Sequence, residues 1–262
     1  MSPIFDCREQ EQLLSGMRQA RQAISRGELV VIPTDTVYGV AADAFDARAV
    51  ARLLEAKGRG RQSPPPVLVP GVTTVRALVA ELPEPIERVI EAFWPGGLTI
   101  VLPAQPSLSW DLGDTQGTVA VRMPAHRIAL ALLEETGPLA VSSANLTGMA
   151  AGITAEDAQS MLKDSVAVYL SDGPSTHGIA STIIDATSLV GGATPLVRVL
   201  RDGAISRAEL RTVLGDLLEP DPGTEPESES DAESRDAESA SAGSDETTSD
   251  EAASVRPEPG GP

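Results

Sequence analysis

"TVAVRMPAHRIALALLEETGPLAVSS", residues 118–143, changes its hydrophobic period twice within 26 residues. Residues 118–124 alternate. Val119 and Val121 fall on one face and Thr118, Ala120 and Arg122 on the other, the period of a β-strand. Residues 126–137 read as a helix that stops at Gly137, a residue favoured just past a helix C-terminus. Residues 138–143 return to a short apolar strand. Strand, helix and strand in so short a span decide an α/β class.

The same reading extends in both directions. Leu13, Met17, Ala20 and Ile24 predict a helix over residues 9–26, stopped at Gly27. Residues 28–33 predict a strand. Asp46 is placed to cap a helix through Val50, Leu53 and Leu54 that ends at Gly58. Residues 66–70 and 98–103 predict strands and residues 85–94 a helix. Beyond the opening stretch come a Thr-capped helix over 154–162, strands at 166–170, 181–186 and 195–201, and a closing helix over 206–218. The last three strands have no helix between them, which predicts a mixed rather than purely parallel sheet.

Composition divides the chain. From Pro220 to Pro262 there is no Leu, Ile, Met, Phe, Trp or Tyr, and 13 Asp and Glu face only Arg235 and Arg256. Such a segment cannot offset the entropy of ordering, so residues 220–262 are expected to be a disordered acidic tail. It carries −11 of the formal −18, which leaves −7 on residues 1–219, the expected folded domain. That balance argues against stable nucleic-acid binding, which needs a basic face. A single cysteine, Cys7, allows no internal disulfide and fits a reducing cytoplasm. No apolar run approaches the ~20 residues of a membrane helix. The expectation is a soluble, cytoplasmic protein without a membrane partner.

Several chemistries are excluded or unsupported. There is no G-x-x-x-x-G-K-[ST], G-x-G-x-x-G, H-E-x-x-H or G-x-S-x-G, and the only histidines are His126 and His177. An enzyme built from these residues works by positioning and electrostatics rather than by a side-chain nucleophile. "PTDTVYG" (33–39) offers Thr34, Asp35, Thr36 and Tyr38, either to satisfy a turn or to meet a ligand. "KGRGRQSPPP" (57–66) places Lys57, Arg59 and Arg61 between glycines where a helix ends. It reads either as a solvated helix end or as a polyphosphate cradle, with the cations facing solvent in both. "SSANLTG" (142–148) adds Ser142, Ser143 and Asn145; "GIASTIID" (178–185) adds Ser181 and Thr182; Arg198 and Arg201 leave the last strand. Hydroxyls and arginines at strand ends, without a base or a metal cluster, suit a crevice for a nucleotide and an amino acid.

"PTDTVYGVAADA", "LLEAKGRGR", "FWPGGLTIVLP", "TVAVRMP", "AVSSANLTG", "IASTIID" and "VLRDGAIS" occur here in order. Over roughly residues 12–214 the chain resembles the YrdC-like threonylcarbamoyl-AMP synthase family. The resemblance implies a twisted mixed sheet around one large cavity and synthesis of threonylcarbamoyl-AMP and pyrophosphate from L-threonine, bicarbonate or CO2, and ATP. ATP would be a substrate with Mg2+ carried on it. The product would pass to a separate tRNA threonylcarbamoyltransferase complex for N6-threonylcarbamoyladenosine modification. By motif, Lys57 and Arg59 resemble the catalytic phosphate ligands. Thr36, Arg122, Val141 and Ser181 resemble the threonine site, and Thr118, Ser143, Asn145 and Arg201 further ATP contacts. Ser63 stands where the family commonly has an ATP-binding Asn, Leu68 where it has a His, and Ala151 where many members have a Ser. Arg61 is expected to restore a lost contact by meeting phosphate. The rival expectation is a non-enzymatic, double-stranded-RNA-binding or ribosome-associated protein of the same fold.

Overall fold

The computed structural model describes residues 1–175, 178–192 and 194–222. In chain order the elements are β1 (Ile4–Asp6), α1 (Gln10–Ser25), β2 (Val30–Ile32), β3 (Gly39–Asp43), α2 (Ala47–Lys57) and β4 (Val67–Leu68). Next come α3 (Val72–Leu78), α4 (Glu84–Phe93), β5 (Leu98–Pro103), β6 (Thr118–Arg122), α5 (Arg127–Thr136) and β7 (Leu139–Ser143). The remainder is α6 (Ala155–Leu162), β8 (Val168–Ser171), β9 (Thr182–Asp185), β10 (Arg198–Arg201) and α7 (Arg207–Leu214). Met1–Asp221 form one unit. Of the expected tail, residues from 223 onward lie outside the described residues.

All ten strands join one sheet in the order β1-β8-β2-β3-β7-β4-β6-β5-β9-β10. The β1–β8, β8–β2, β4–β6 and β5–β9 pairs are parallel and the others antiparallel, so the sheet is mixed as expected.

Alternation along the strands sorts side chains to two faces. Val30 and Ile32 of β2, Leu68 of β4, and Leu139 and Val141 of β7 pack with Met17, Ile24, Ile128 and Leu132 of α1 and α5. The interleaved Val31 packs with α2 and α6. In the other half of the sheet, Val67, Leu98, Ile100, Leu102, Val119, Val121 and Ile184 pack against Ile86, Val89, Ile90, Leu210 and Leu214 of α4 and α7. Burial of so many aliphatic side chains, each contributing roughly 1.5–3 kcal/mol of transfer free energy, anchors the strands that carry the site. The alternate residues of these strands, Thr99, Val101, Thr118, Ala120, Arg122 and Ile183, line two adjoining hollows.

The helix starts expected from capping are present. Asp46 accepts from the backbone N–H groups of Arg48 (2.8 Å) and Ala49 (3.2 Å), and Thr154 forms a capping box with Asp157. Three elements lie beyond the sequence expectations: β1, β3 and α3. The closing helix is shorter than expected. It ends at Leu214 because Gly215 turns the backbone to φ +54, and a 3-10 turn follows over Gly215–Leu217.

Candidate functional site

The larger of the two hollows has a volume of about 370 Å³, and its described walls come from seven separate stretches of chain. Thr34, Thr36, Val37, Tyr38 and Gly39 lead into β3, and Arg59, Pro64 and Pro66 follow α2. Leu68, Thr99 and Arg122 stand on β4, β5 and β6. Val141, Ser142, Ser143, Asn145 and Ala151 belong to β7 and the loop after it, while Ser181, Ile183 and Arg201 come from β9, its approach and β10. Three arginines, Arg59, Arg122 and Arg201, and no Asp or Glu are among the described lining residues. In a domain of net charge −7 this is a local inversion of sign, suited to an anion.

Each arginine is held by its own set of acceptors. Arg122 is 6% exposed. Its Nε donates to Gly96 O (2.9 Å), Nη1 to Thr36 Oγ1 (2.9 Å) and Nη2 to Asp35 Oδ1 (2.7 Å). Asp35 Oδ1 also accepts from Ala125 N at 2.9 Å. Burial pushes the Arg122 pKa down and Asp35 opposes that shift. Arg201 donates from Nε (3.0 Å) and Nη2 (2.7 Å) to Ser181 O, and from Nη2 to Ser181 Oγ (2.9 Å). Its pKa is lowered by burial first and then by the neighbouring charges of Arg122 and Arg59. Arg59 donates to Thr147 Oγ1 (3.1 Å) and Ser142 Oγ (3.2 Å). Thr34 and Thr36 are linked through their hydroxyls at 3.1 Å, and Thr99 and Ser181 at 2.9 Å.

Lys57 corrects the expectation of a solvent-facing cation. It closes α2 fully buried, and its ammonium turns into the β7 turn. There it donates to the Ser143 and Asn145 carbonyls, to Asn145 Oδ1 (3.0 Å) and to Ser143 Oγ (3.4 Å). Burial, helped by Arg59, lowers its pKa to about 8. The cause is amphipathicity: Lys57 continues the buried stripe of Val50, Leu53 and Leu54, and Gly58 in the left-handed region then turns the chain outward.

Arg61 departs from its expected place as well. It is 58% exposed and its guanidinium is engaged by Asp111 and Asp114. Neither Arg61 nor Ser63 is among the residues lining the cavity. Thr118 lines the second hollow, an apolar recess of about 240 Å³ walled by Pro64, Pro65, Pro66, Val101, Leu112, Thr115, Val119, Ala120, Ile183 and Leu200. The recess shares Pro64, Pro66 and Ile183 with the cavity. The structure therefore brings together Thr36, Arg59, Arg122, Val141, Ser143, Asn145, Ser181 and Arg201, sets Lys57 behind Ser143 and Asn145, and places Thr118 next door.

Leu68 and Ala151, the apolar replacements, line the cavity too, and Leu68 is the strand partner of Arg122. Thr99 is a lining residue that its sequence context did not mark, since a lone Thr in an apolar strand has no signature. Asp35 was visible only as a turn residue. His177 lies outside the described residues. His126 stands 3.4 Å from Asp172 and is not among the cavity residues. Among the described residues no group of three His, Cys, Asp or Glu could hold a metal ion, and no helix is long and apolar enough to cross a membrane.

Comparison with known proteins agrees with this geometry. A Mycobacterium tuberculosis protein provisionally named as a threonylcarbamoyl-AMP synthase is 53% identical over 215 residues, 82% of this chain and 96% of its own. The Bacillus subtilis threonylcarbamoyl-AMP synthase is 35% identical over 201 residues, 76% of this chain and 56% of its own. The crystal structure of Pyrococcus abyssi Sua5 complexed with L-threonine superposes with a TM-score of 0.71 at 35% identity, covering 78% of this chain and 59% of that one. Escherichia coli YciO, at 22% identity and a TM-score of 0.67, shares the fold over 79% of this chain and 98% of its own. The Sua5/YciO/YrdC family model, described as telomere recombination, matches residues 22–203. An arginine-lined cavity opening on one face of this ten-stranded mixed sheet, and a family match across the strands that build it, make this chain a member of the Sua5/YciO/YrdC family.

Proposed function

We propose that this protein is a threonylcarbamoyl-AMP synthase, forming threonylcarbamoyl-AMP and pyrophosphate from L-threonine, bicarbonate or CO2, and ATP. The observation that carries the proposal is the cavity with Arg59, Arg122 and Arg201 and no acidic residue among its described lining. The names of the 53% and 35% identical relatives and the threonine complex of the Pyrococcus protein support it.

The reaction joins anions, so the protein's part is to suppress their repulsion. The threonine amine adds to the carbon of bicarbonate. One amine proton leaves with the bicarbonate hydroxyl as water, and a carbamate remains. A carbamate oxygen attacks the α-phosphorus of ATP, the bond from that phosphorus to the bridging oxygen breaks, and pyrophosphate departs with the electron pair. The carbamate is already nucleophilic, so no strong base is required.

Arg122 takes the threonine carboxylate, with Thr36, Ser181 and the Val141 backbone around the amino acid. Arg59, Arg201, Ser143 and Asn145 face the triphosphate, and Lys57 holds the Ser143–Asn145 turn from behind. Thr118 and the apolar recess take the purine. Preorganised cations aimed at developing phosphate charge are the main catalytic resource of such a site. Mg2+ arrives on the triphosphate as part of the substrate.

Residues 1–219 are the catalytic unit in this reading, and the acidic segment 220–262 is a solubilising appendage. The product goes to a separate tRNA threonylcarbamoyltransferase in the cytoplasm. The test is pyrophosphate release from ATP with threonine and bicarbonate each supplied or withheld. Release that needs both establishes the activity. Release that needs neither, or none from folded protein that binds ATP, refutes it.

A further inference from the structure

Of Lys57, Arg59 and Arg61, Arg61 is the one that turns neither to the cavity nor to the β7 turn behind it. Its Nη1 and Nη2 grip Asp111 Oδ2 (2.9 Å) and Oδ1 (2.8 Å) in a two-pronged pair, and Nε reaches Asp114 Oδ1 at 3.3 Å. The backbones also meet: Asp114 N donates to Arg61 O at 2.8 Å. Gly113, at φ +105, lies so close that a Cβ there would stand 2.6 Å from the same carbonyl. Asp111 is itself oriented, because its Oδ1 accepts from Gly113 N at 3.1 Å.

The two segments joined here supply two of the walls of the apolar recess. Pro64, Pro65 and Pro66 follow Arg61 by three to five residues, and Leu112 and Thr115 are interleaved with Asp111 and Asp114. Three prolines in a row hold φ near −65° and transmit a displacement rather than absorb it. On the other side of Arg61 lie Gly60 and the end of α2, where Gly58 N donates to Glu55 O (2.9 Å) and Arg59 N to Leu54 O (2.8 Å). The proline wall is tied to β7 at its far end, where Pro66 O accepts from Val141 N (2.8 Å); at its near end the only described partners of the Arg61 guanidinium are the two aspartates of the opposite wall.

We propose that Arg61 is a positioning residue, a latch that through Asp111 and Asp114 sets the gap between the Pro64–Pro66 and Leu112–Thr118 walls and so the fit of the recess to a purine. The proposal rests on the reading that this recess takes the adenine of ATP. Arg61 acts at a distance from the phosphates, and the partners are 58%, 45% and 59% exposed, so the latch contributes little to global stability. Its forked geometry fixes direction more than energy.

The experiment compares dissociation constants of adenosine, AMP and Mg·ATP, and of L-threonine, for the full chain and its variants. Arg61→Gln is expected to weaken all three nucleosides and nucleotides by the same factor, about fivefold. Threonine affinity and melting temperature stay unchanged. Asp111→Asn/Asp114→Asn reproduces the loss, and adding Arg61→Gln to it causes no further loss. A deficit that grows from adenosine to ATP would identify Arg61 as a direct phosphate ligand and overturn the latch. So would unchanged affinities for all three. Ala120→Leu, which fills the recess, separates the two layers of the argument. If it leaves adenosine binding intact, the purine reading itself fails. If it weakens adenosine while Arg61→Gln does not, only the latch fails.

Discussion

Asp35 and Arg122 form an ion pair of 2.7 Å at the base of the cavity, with side chains 15% and 7% exposed. Three of the five guanidinium N–H groups are taken by Asp35, Thr36 and Gly96, which leaves two to meet an incoming carboxylate. Arg122→Ala should raise the threonine KM about 100-fold, the worth of two charge-assisted hydrogen bonds, and leave the ATP KM within about twofold. Asp35→Ala should raise the threonine KM by about tenfold through misorientation and cost about 3 kcal/mol of stability by leaving a buried charge unpaired. Initial rates and thermal melts of the two single variants and the double variant check this. An ATP-only effect of Arg122→Ala would reverse the assignment of the subsites.

Arg59 presents the opposite balance. It is half-buried and held by two neutral hydroxyls, so Arg59→Ala should leave the melting temperature nearly unchanged. Turnover should fall by about two to three orders of magnitude, the scale of removing one stabilising donor from a charge-transfer site. Folded Arg59→Ala protein with normal pyrophosphate release removes this arginine from the chemistry.

Lys57 predicts a pH signature. Its pKa falls from 10.5 to about 8 on folding, so below pH 8 both folded and unfolded chains carry the proton. Between about pH 8 and 10.5 the unfolded chain binds more protons than the folded one, so stability rises with pH across that window. The gain is bounded at about 3 kcal/mol. Denaturant titrations of wild type and Lys57→Met from pH 7 to 10 test it: the wild-type minus variant difference climbs above pH 8. A flat or falling difference contradicts it. Lys57→Ala should also destabilise the fold by about 1–3 kcal/mol, because the Ser143 and Asn145 acceptors lose their donor.

Gly39 offers a steric test of the threonine pocket. A Cβ at this position would stand 2.6 Å from Val141 Cγ1, and both residues line the cavity. Gly39→Ala should push Val141 into the pocket and raise the threonine KM about tenfold, with the ATP KM unchanged. Val141→Ala in the same chain should restore it. Failure of that rescue places threonine elsewhere in the cavity.

The parts of the molecule legible in the sequence are those whose neighbours are close in the chain. Val119 and Val121 announce β6 by alternation, and Asp46 and Thr154 announce α2 and α6 by capping chemistry that spans three residues. β1 and β3 were not legible. Ile4–Asp6 is a strand only because Tyr169, Leu170 and Ser171 lie beside it, and Gly39–Asp43 is made of small residues with no strand signature of their own. The site divides the same way. Thr36, Ser143 and Arg201 fall in the cavity as their motifs suggest. Which carboxylate Arg61 meets, and that Lys57 turns inward to carbonyls 86 and 88 residues away, are tertiary facts that spacing does not carry.

The strand order also sets when the protein becomes an enzyme during its own synthesis. β8 is the bridge between β1 and β2, and β9 and β10 close the far edge beside β5. Ser181 and Arg201, two walls of the cavity, are synthesised only after β1 to β8. Pairings such as Ile4 with Tyr169 and Leu98 with Thr182 must wait for those late strands, at the entropic cost of closing long loops. A nascent chain halted before β9 holds the early cavity loops but lacks the strand that completes their enclosure. Enclosure of the cavity is therefore deferred by topology until β9 and β10 have been added.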